Sequence, residues 1–252
     1  MDKYQFLKEE ERLDYTLQTL NEEVLNYIEK RKEIANYILD YRKNFIEEHK
    51  DDEDALMEYF DHERYVKEEY YKQIDKKLME LTKLKETPYF GKVIFSDEDD
   101  CQEEIYVGRY GLTKDATFES IIIDWRAPIA SLFYKGSLGP TTYKTPDGEL
   151  SADILARRQF VIKKGSLQGY FDSEVDVKDE ILQMILSSNS GEKLKDIVMT
   201  IQQEQDDIIR EERMKVVVVN GVAGSGKTTI ALHRVAYLLY NYRQQLGNKV
   251  LV

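Results

Sequence analysis

Cysteine is almost missing from this chain: Cys101 is the one thiol in 252 residues, so no internal disulfide can form and a reducing compartment is expected. Proline is nearly as scarce, with four in all. That scarcity, beside 33% charged and 11% aromatic residues, describes a soluble, largely ordered chain. Met1-Asp2-Lys3-Tyr4 shows neither the basic start nor the apolar core of a secretory leader. No apolar run approaches the roughly 18 residues that a membrane span requires, so a cytoplasmic protein without a membrane partner is expected. Positive charge is also short. The net charge is −12, and residues 1–86 carry 24 acidic against 16 basic side chains, a net −8. Nucleic-acid binding draws on a basic face that displaces counterions. The first third of the chain is therefore not expected to grip nucleic acid, and suits a protein partner with basic walls.

What is abundant is heptad periodicity. Leu13, Leu17, Leu20, Val24, Tyr27, Ile34, Ile38, Tyr41 and Phe45 follow alternating spacings of four and three, with Arg31 alone interrupting. A second, less regular run holds Leu56, Phe60, Val66, Tyr70, Ile74, Leu78, Leu81 and Leu84, with Glu63 and Lys67 on its seam, and Thr87-Pro88 ends it. Two such helices joined by a few residues fold back as an antiparallel hairpin. At about 1.5 Å per residue they would span roughly 65–70 Å and about 50 Å. Such a rod buries only its own seam and is expected to project as an arm. Its connection is acidic, with Asp51, Asp52, Glu53 and Asp54 at the tip. That cluster reads either as a solvated turn or as a negative probe for a partner. His49 and His62 lie nearby, but nothing in their spacing forces a metal site.

Residues 89–170 change character. Glycines punctuate short runs with β-type alternation at Lys92–Phe95, Ile105–Tyr110, Ile121–Asp124, Ser131–Tyr134, Thr142–Lys144 and Arg158–Ile162. Asp147-Gly148 and Lys164-Gly165 read as hairpin turns. A small antiparallel sheet or partly open barrel follows. Asp124-Trp125-Arg126-Ala127-Pro128 holds the only tryptophan between opposite charges, and reads as a corner with an internal ion pair over a buried indole. Helical spacing returns at Asp179–Leu182 and from Leu194 to Ile209. The fold class is thus α+β grading into α/β. Its regions are a helical arm at 1–88, a small β domain at 89–175, and the opening of a nucleotide-binding domain at 176–252.

That last region carries the sharpest motif. Val216–Val219 reads as a buried strand, and the residues after Lys227 read as an amphipathic helix. Between them, Gly221, Ala223, Gly224, Ser225, Gly226, Lys227, Thr228 and Thr229 spell G-x-x-x-x-G-K-T-T, the phosphate-cradling loop of P-loop nucleotidases. Glycines let successive N–H groups converge on a polyphosphate at a helix N-terminus. Lys227 would reach the β/γ-phosphates of ATP, and the Thr228 hydroxyl would ligate Mg²⁺. An acidic Walker B residue and a transition-state arginine have no strand to come from after Thr228, so the chain is expected to be the N-terminal part of a longer enzyme and inactive alone. Lys249–Val252 would open the next strand.

The stretch Thr200–Arg210, the Gly221–Thr229 loop and Ala231–Tyr240 together resemble the opening of superfamily 1 helicases of the UvrD/Rep type. In that family a glutamine ahead of the loop binds the adenine edge, and Gln205 matches it in position, with Gln202 as the neighbouring alternative. Val107–Leu112, Ile123–Leu132 and Arg157-Arg158-Gln159-Phe160 narrow the resemblance to the HelD family of helicase-like ATPases. That resemblance implies an RNA polymerase partner. Its helical hairpin would enter the polymerase secondary channel, and the nucleotide cycle would help release and recycle the enzyme. It also implies a second RecA-like domain beyond Val252; a monomer is expected, with an intermolecular coiled coil as the alternative to the hairpin. The competing reading is an ordinary UvrD/Rep helicase translocating on single-stranded DNA; a stand-alone nucleotide switch with a coiled-coil arm is a third.

Overall fold

The computed structural model describes residues 3–48, 62–135, 137–145, 148–172, 203–211, 216–222 and 226–246. Two long helices open the chain, α1 at Lys3–Glu48 and α2 at His62–Glu86. The second stops before Thr87-Pro88, as expected from a ring that lacks an N–H and crowds the preceding residue out of helical geometry. Three pairs set their mutual direction. Arg31 reaches Asp75 at 2.6 Å, Lys67 lies 5.0 Å from the Tyr37 ring centre, and Arg42 meets Glu68 at 2.8 Å. From Arg31 to Arg42 the numbers rise along α1 while their carboxylate partners fall from Asp75 to Glu68 along α2, so the helices are antiparallel.

The α1 stripe is borne out. Leu13 and Leu20 are fully buried, and the rest of the stripe is half-buried except Arg31, which pairs with Asp75 and lies over the Tyr71 ring. The α2 stripe needs correcting. Ile74, Leu81 and Leu84 are buried and Lys67 lies on the seam as expected, but Val66 and Tyr70 are exposed, and Tyr71 takes a place on the seam. The reason is cation–aromatic pairing: Lys67 with Tyr37 and Arg31 with Tyr71 replace aliphatic contacts there. Leu56 and Phe60 lie outside the described residues.

The chain divides into two compact units. The first joins Met1–Pro88 with Leu112–Ser120 and Lys163–Ser166. In it the Asp115 carboxylate accepts bonds from Lys30 Nζ at 2.7 Å and Asn26 Nδ2 at 3.3 Å, while its own N–H donates to Glu23 Oε1 at 3.1 Å. That bond accounts for a carboxylate as buried as Glu23 on α1. Lys164-Gly165 forms the expected turn, with φ of 49° and 73°, and the Gly165 N–H donates to the Glu86 carbonyl at the end of α2.

The second unit comprises Tyr89–Gly111, Ile121–Ile162 and Leu167–Val252. Strands β1 (Gly91–Ser96), β2 (Gln102–Gly108), β3 (Leu112–Lys114, in a segment of the first unit), β4 (Glu119–Asp124), β5 (Gly139–Thr145), β6 (Gly148–Lys163) and β7 (Ser166–Asp172) make one sheet. Its order is β3-β4-β2-β1-β6-β5, with β7 also on β6. Pairing is mostly antiparallel, but β2 and β4 run parallel through Val107↔Ile123 and Gly108↔Asp124, which corrects the purely antiparallel expectation. Asp147, in the other expected turn, lies outside the described residues, whereas Gly148 adopts φ 142°.

Two further expectations fail. Ser131–Tyr134 is the helix α3, entered through a 3₁₀ turn at Pro128–Ala130. Pro128 starts that turn, and Leu132, Phe133 and Tyr134 are all buried, where a half-exposed strand would alternate. Val216–Val219 forms no strand: Val216 and Val218 are 77% and 86% exposed. No neighbouring strand among the described residues supplies the partner backbone that β structure requires. Short helices follow, α4 at Gln203–Arg210, α5 at Lys227–Asn241 and α6 at Arg243–Leu246. No helix among the described residues is long and apolar enough to cross a membrane.

Candidate functional site

The corner expected at Asp124–Pro128 is built as the sequence suggests. The buried Asp124 carboxylate accepts two bonds from the Arg126 guanidinium, at 2.8 and 2.6 Å, and one from the Arg126 N–H at 2.9 Å. Such a bidentate clasp turns the chain out of β4 and seats Trp125 in the core at 5% exposure. The indole lies 5.4 Å from the His233 imidazole of α5, and Arg126 lies 4.6 Å from the Tyr240 ring of the same helix. Asn241 donates to the Arg126 carbonyl at 3.3 Å. Ile209 of α4 and Ile230 and Tyr237 of α5 join Phe90, Trp125, Leu132, Phe133 and Tyr134 in one hydrophobic core. The sheet and both helices are therefore one packed body.

Arg210, at the end of α4, fastens this body. Its Nε donates to Asp206 Oδ1 at 2.8 Å, one turn back, its Nη2 to the Trp125 carbonyl at 2.6 Å and its Nη1 to the Ala127 carbonyl at 3.3 Å. The guanidinium also lies 5.2 Å from Tyr237 and 5.6 Å from Tyr134. Burial raises the Asp206 carboxyl above its ordinary range, and the adjacent Arg210 charge opposes that rise. From α5, Arg234 donates to the Ile208 carbonyl at 2.6 Å, closing one of the last carbonyls of α4. Nothing in the sequence announces these long contacts except the i,i+4 spacing of Asp206 and Arg210.

Gln205 sits half-buried on α4, one position before Asp206. Gly226 adopts the left-handed φ of 81° and caps α5, with nothing within 4 Å of where a Cβ would stand. The first ladder bond of the helix runs from the Ile230 N–H to the Gly226 carbonyl at 2.9 Å. The N–H groups of Lys227, Thr228 and Thr229 thus precede the helical ladder, the cap residue Gly226 offers them no side chain, and no acidic residue occupies the first turn. Thr228 and Thr229 are exposed there. The Lys227 ammonium folds back over the loop and donates to the carbonyls of Gly221 at 2.9 Å and Val222 at 2.6 Å. Together these groups make an electropositive helix end. Ala223, Gly224 and Ser225 lie outside the described residues, as do Gln202, the helical spacing expected at 179–182 and the first part, 194–202, of the helix expected up to Ile209. Beside α5, a groove of about 430 Å³ is lined by Ile208, Val217, Val219, Ile230, Leu238 and Leu246.

On the arm, Asp51, Asp52, Glu53 and Asp54 lie outside the described residues, as does His49. Among the described residues no group of three or more His, Cys, Asp or Glu could hold a metal ion. Cys101 is free and exposed.

A search of curated proteins gives no match. The family model described as DNA helicase IV HelD, N-terminal domain, matches residues 6–184, which takes in all but the first three residues of α1, all of α2 and strands β1 to β7, and ends before Gly221. With well over half of its length under that one match, this chain belongs to the HelD helicase family, as the N-terminal domain.

Proposed function

We propose that this chain is the N-terminal region of an ATP-dependent, helicase-like motor that binds RNA polymerase and helps to free it from nucleic acid. Its arm enters the polymerase secondary channel, and its Gly221–Thr229 loop holds the phosphates of ATP. The observation that carries the nucleotide part is the start of α5: three N–H groups outside the ladder, a left-handed Gly226 and the Lys227 ammonium at one point. These residues fit a triphosphate. Lys227 exchanges its two carbonyl partners for phosphate oxygens, and the exposed Thr228 hydroxyl is the one magnesium ligand drawn from this chain. Gln205 discriminates adenine from guanine, on a helix whose placement Arg210 and Arg234 fix.

The polymerase part rests on family membership and on the charge of the arm, −8 over residues 1–86, which suits a basic channel. The chain should co-migrate with core RNA polymerase on a sizing column, and removing residues 13–86 should abolish co-migration. Undiminished binding by that deletion would remove the arm from the proposal. Calorimetric titration tests the loop: Lys227→Ala should weaken ATP binding at least tenfold while the melting temperature stays within about 2 °C, since the lysine is not part of the core. Gln205→Ala should narrow the preference for ATP over GTP.

A further inference from the structure

Helix α1 carries a second heptad stripe that its partner helix does not cover. Leu25, Ile28, Lys32, Ala35, Leu39, Arg42 and Ile46 follow spacings of three and four without a break. At 100° per residue this stripe lies about a quarter-turn from the seam that faces α2. Leu25, Ile28, Leu39 and Ile46 are between 47% and 63% exposed, whereas Leu13 and Leu20 of the true seam are buried to 1% or less. The two cations within the stripe interrupt it little, because lysine and arginine lay long apolar stems along such a surface; Arg42 already turns its head toward Glu68 of α2. Isolated exposed leucines are ordinary on a helix. Four large aliphatic groups in one register between Leu25 and Ile46, about 32 Å of helix, are a prepared contact line.

The flank of this stripe that lies away from α2 decides what covers it. Glu29, Glu33, Asp40 and Glu47 fall on that edge, all exposed, with Lys43 the one cation among them. A second copy of the arm would set this edge against another of the same sign, which coiled-coil pairing disfavours. We propose that this face of α1 docks an amphipathic helix of a partner protein, apolar at its contact positions and lined with lysine or arginine beside them. The apolar stripe supplies adhesion and the acidic edge selects the basic helix. The inference is separate from the acidic tip: it concerns the side of the arm, and stands whether or not the tip reaches a polymerase channel.

A pair of synthetic 21-residue helical peptides provides the test, both with leucine at heptad positions a and d, one with lysine and one with glutamate at e and g. Binding to the intact 252-residue chain is read by calorimetry, with helicity of every variant checked by circular dichroism. The lysine peptide should bind and the glutamate peptide should not. The uncharged double substitution Leu25→Ala/Leu39→Ala should weaken binding at least tenfold, whereas Met79→Ala, at an equally exposed apolar residue of α2, should leave it unchanged. Glu29→Lys/Glu33→Lys should shift preference toward the glutamate peptide. Equal binding by wild type and the Leu25/Leu39 variant would overturn the proposal. So would a dimer in sedimentation equilibrium that the same variant dissolves, because the face would then belong to a second copy.

Discussion

Arginine 210 shows how a single side chain can tie distant parts of a chain together. It spends its donors on one carboxylate and two carbonyls more than 80 residues away. Arg210→Ala would leave Asp206 buried without its counter-charge and two carbonyls without a donor. Loss of about 3–5 kcal/mol is expected from a charge so stranded, read as a drop in the urea midpoint. Arg210→Lys should recover only part of that loss, since an ammonium cannot reproduce the planar fork. His233 yields a second expectation. Burial first, and the Arg109 charge second, push its imidazole below the ordinary value of 6.5. As pH falls below 6.5 the unfolded chain takes up the proton before the folded one does, so this histidine contributes stability above 6.5 that is lost through the window beneath it. Wild type should therefore lose more stability between pH 7.5 and pH 5.5 than His233→Gln. At this scale the sequence was partly readable. The Asp124–Arg126 clasp and the buried Trp125 follow from adjacent residues of opposite charge around an indole. The reach of Arg210 to the Trp125 and Ala127 carbonyls has no local signature, because it depends on how α4 meets the corner.

Among elements, the helices were the most legible, because an apolar stripe sustained over several heptads leaves few alternatives to a long helix. Apart from Val66 and Tyr70 on α2, the errors fell where periodicity is short. Ser131–Tyr134 is four residues long, and Pro128 three positions earlier, rather than its own pattern, sets its conformation. The parallel contact between β2 and β4 is likewise invisible locally, since strand direction depends on the connection between strands. Gly91 illustrates a constraint that periodicity misses. A Cβ there would overlap the ring edge of Phe133, itself packed edge-on against Phe90 and Tyr134. Gly91→Ala should cost about 1–3 kcal/mol, the usual range for overpacking, measured as a lowered denaturation midpoint. Phe133→Leu in the same chain should restore part of it by vacating the ring edge.

For the molecule as a whole, charge is the property most directly read from sequence and the one with the widest reach. A chain of net −12 repels polyphosphate backbones unless a local basic face overrides the field. Titration with single-stranded DNA at about 50 mM and at about 200 mM salt should give no binding with the steep salt dependence of multiple phosphate contacts. A tight, strongly salt-sensitive complex would favour the strand-translocating alternative over the polymerase-binding one. The family match and the candidate ATP loop divide the chain between them: the match covers residues 6–184, and the loop begins at Gly221. What joins them within the second unit is the corner, where the residue after β4 touches the helix that Lys227 begins.

That contact has a practical corollary. The one indole in the chain is packed against α5, its ring centre 5.4 Å from that of His233. Light absorbed near 295 nm is therefore emitted from a single known address. Any shift of α5 on the sheet alters the polarity around residue 125 and moves the emission maximum, so the protein comes with its own optical gauge and needs no dye.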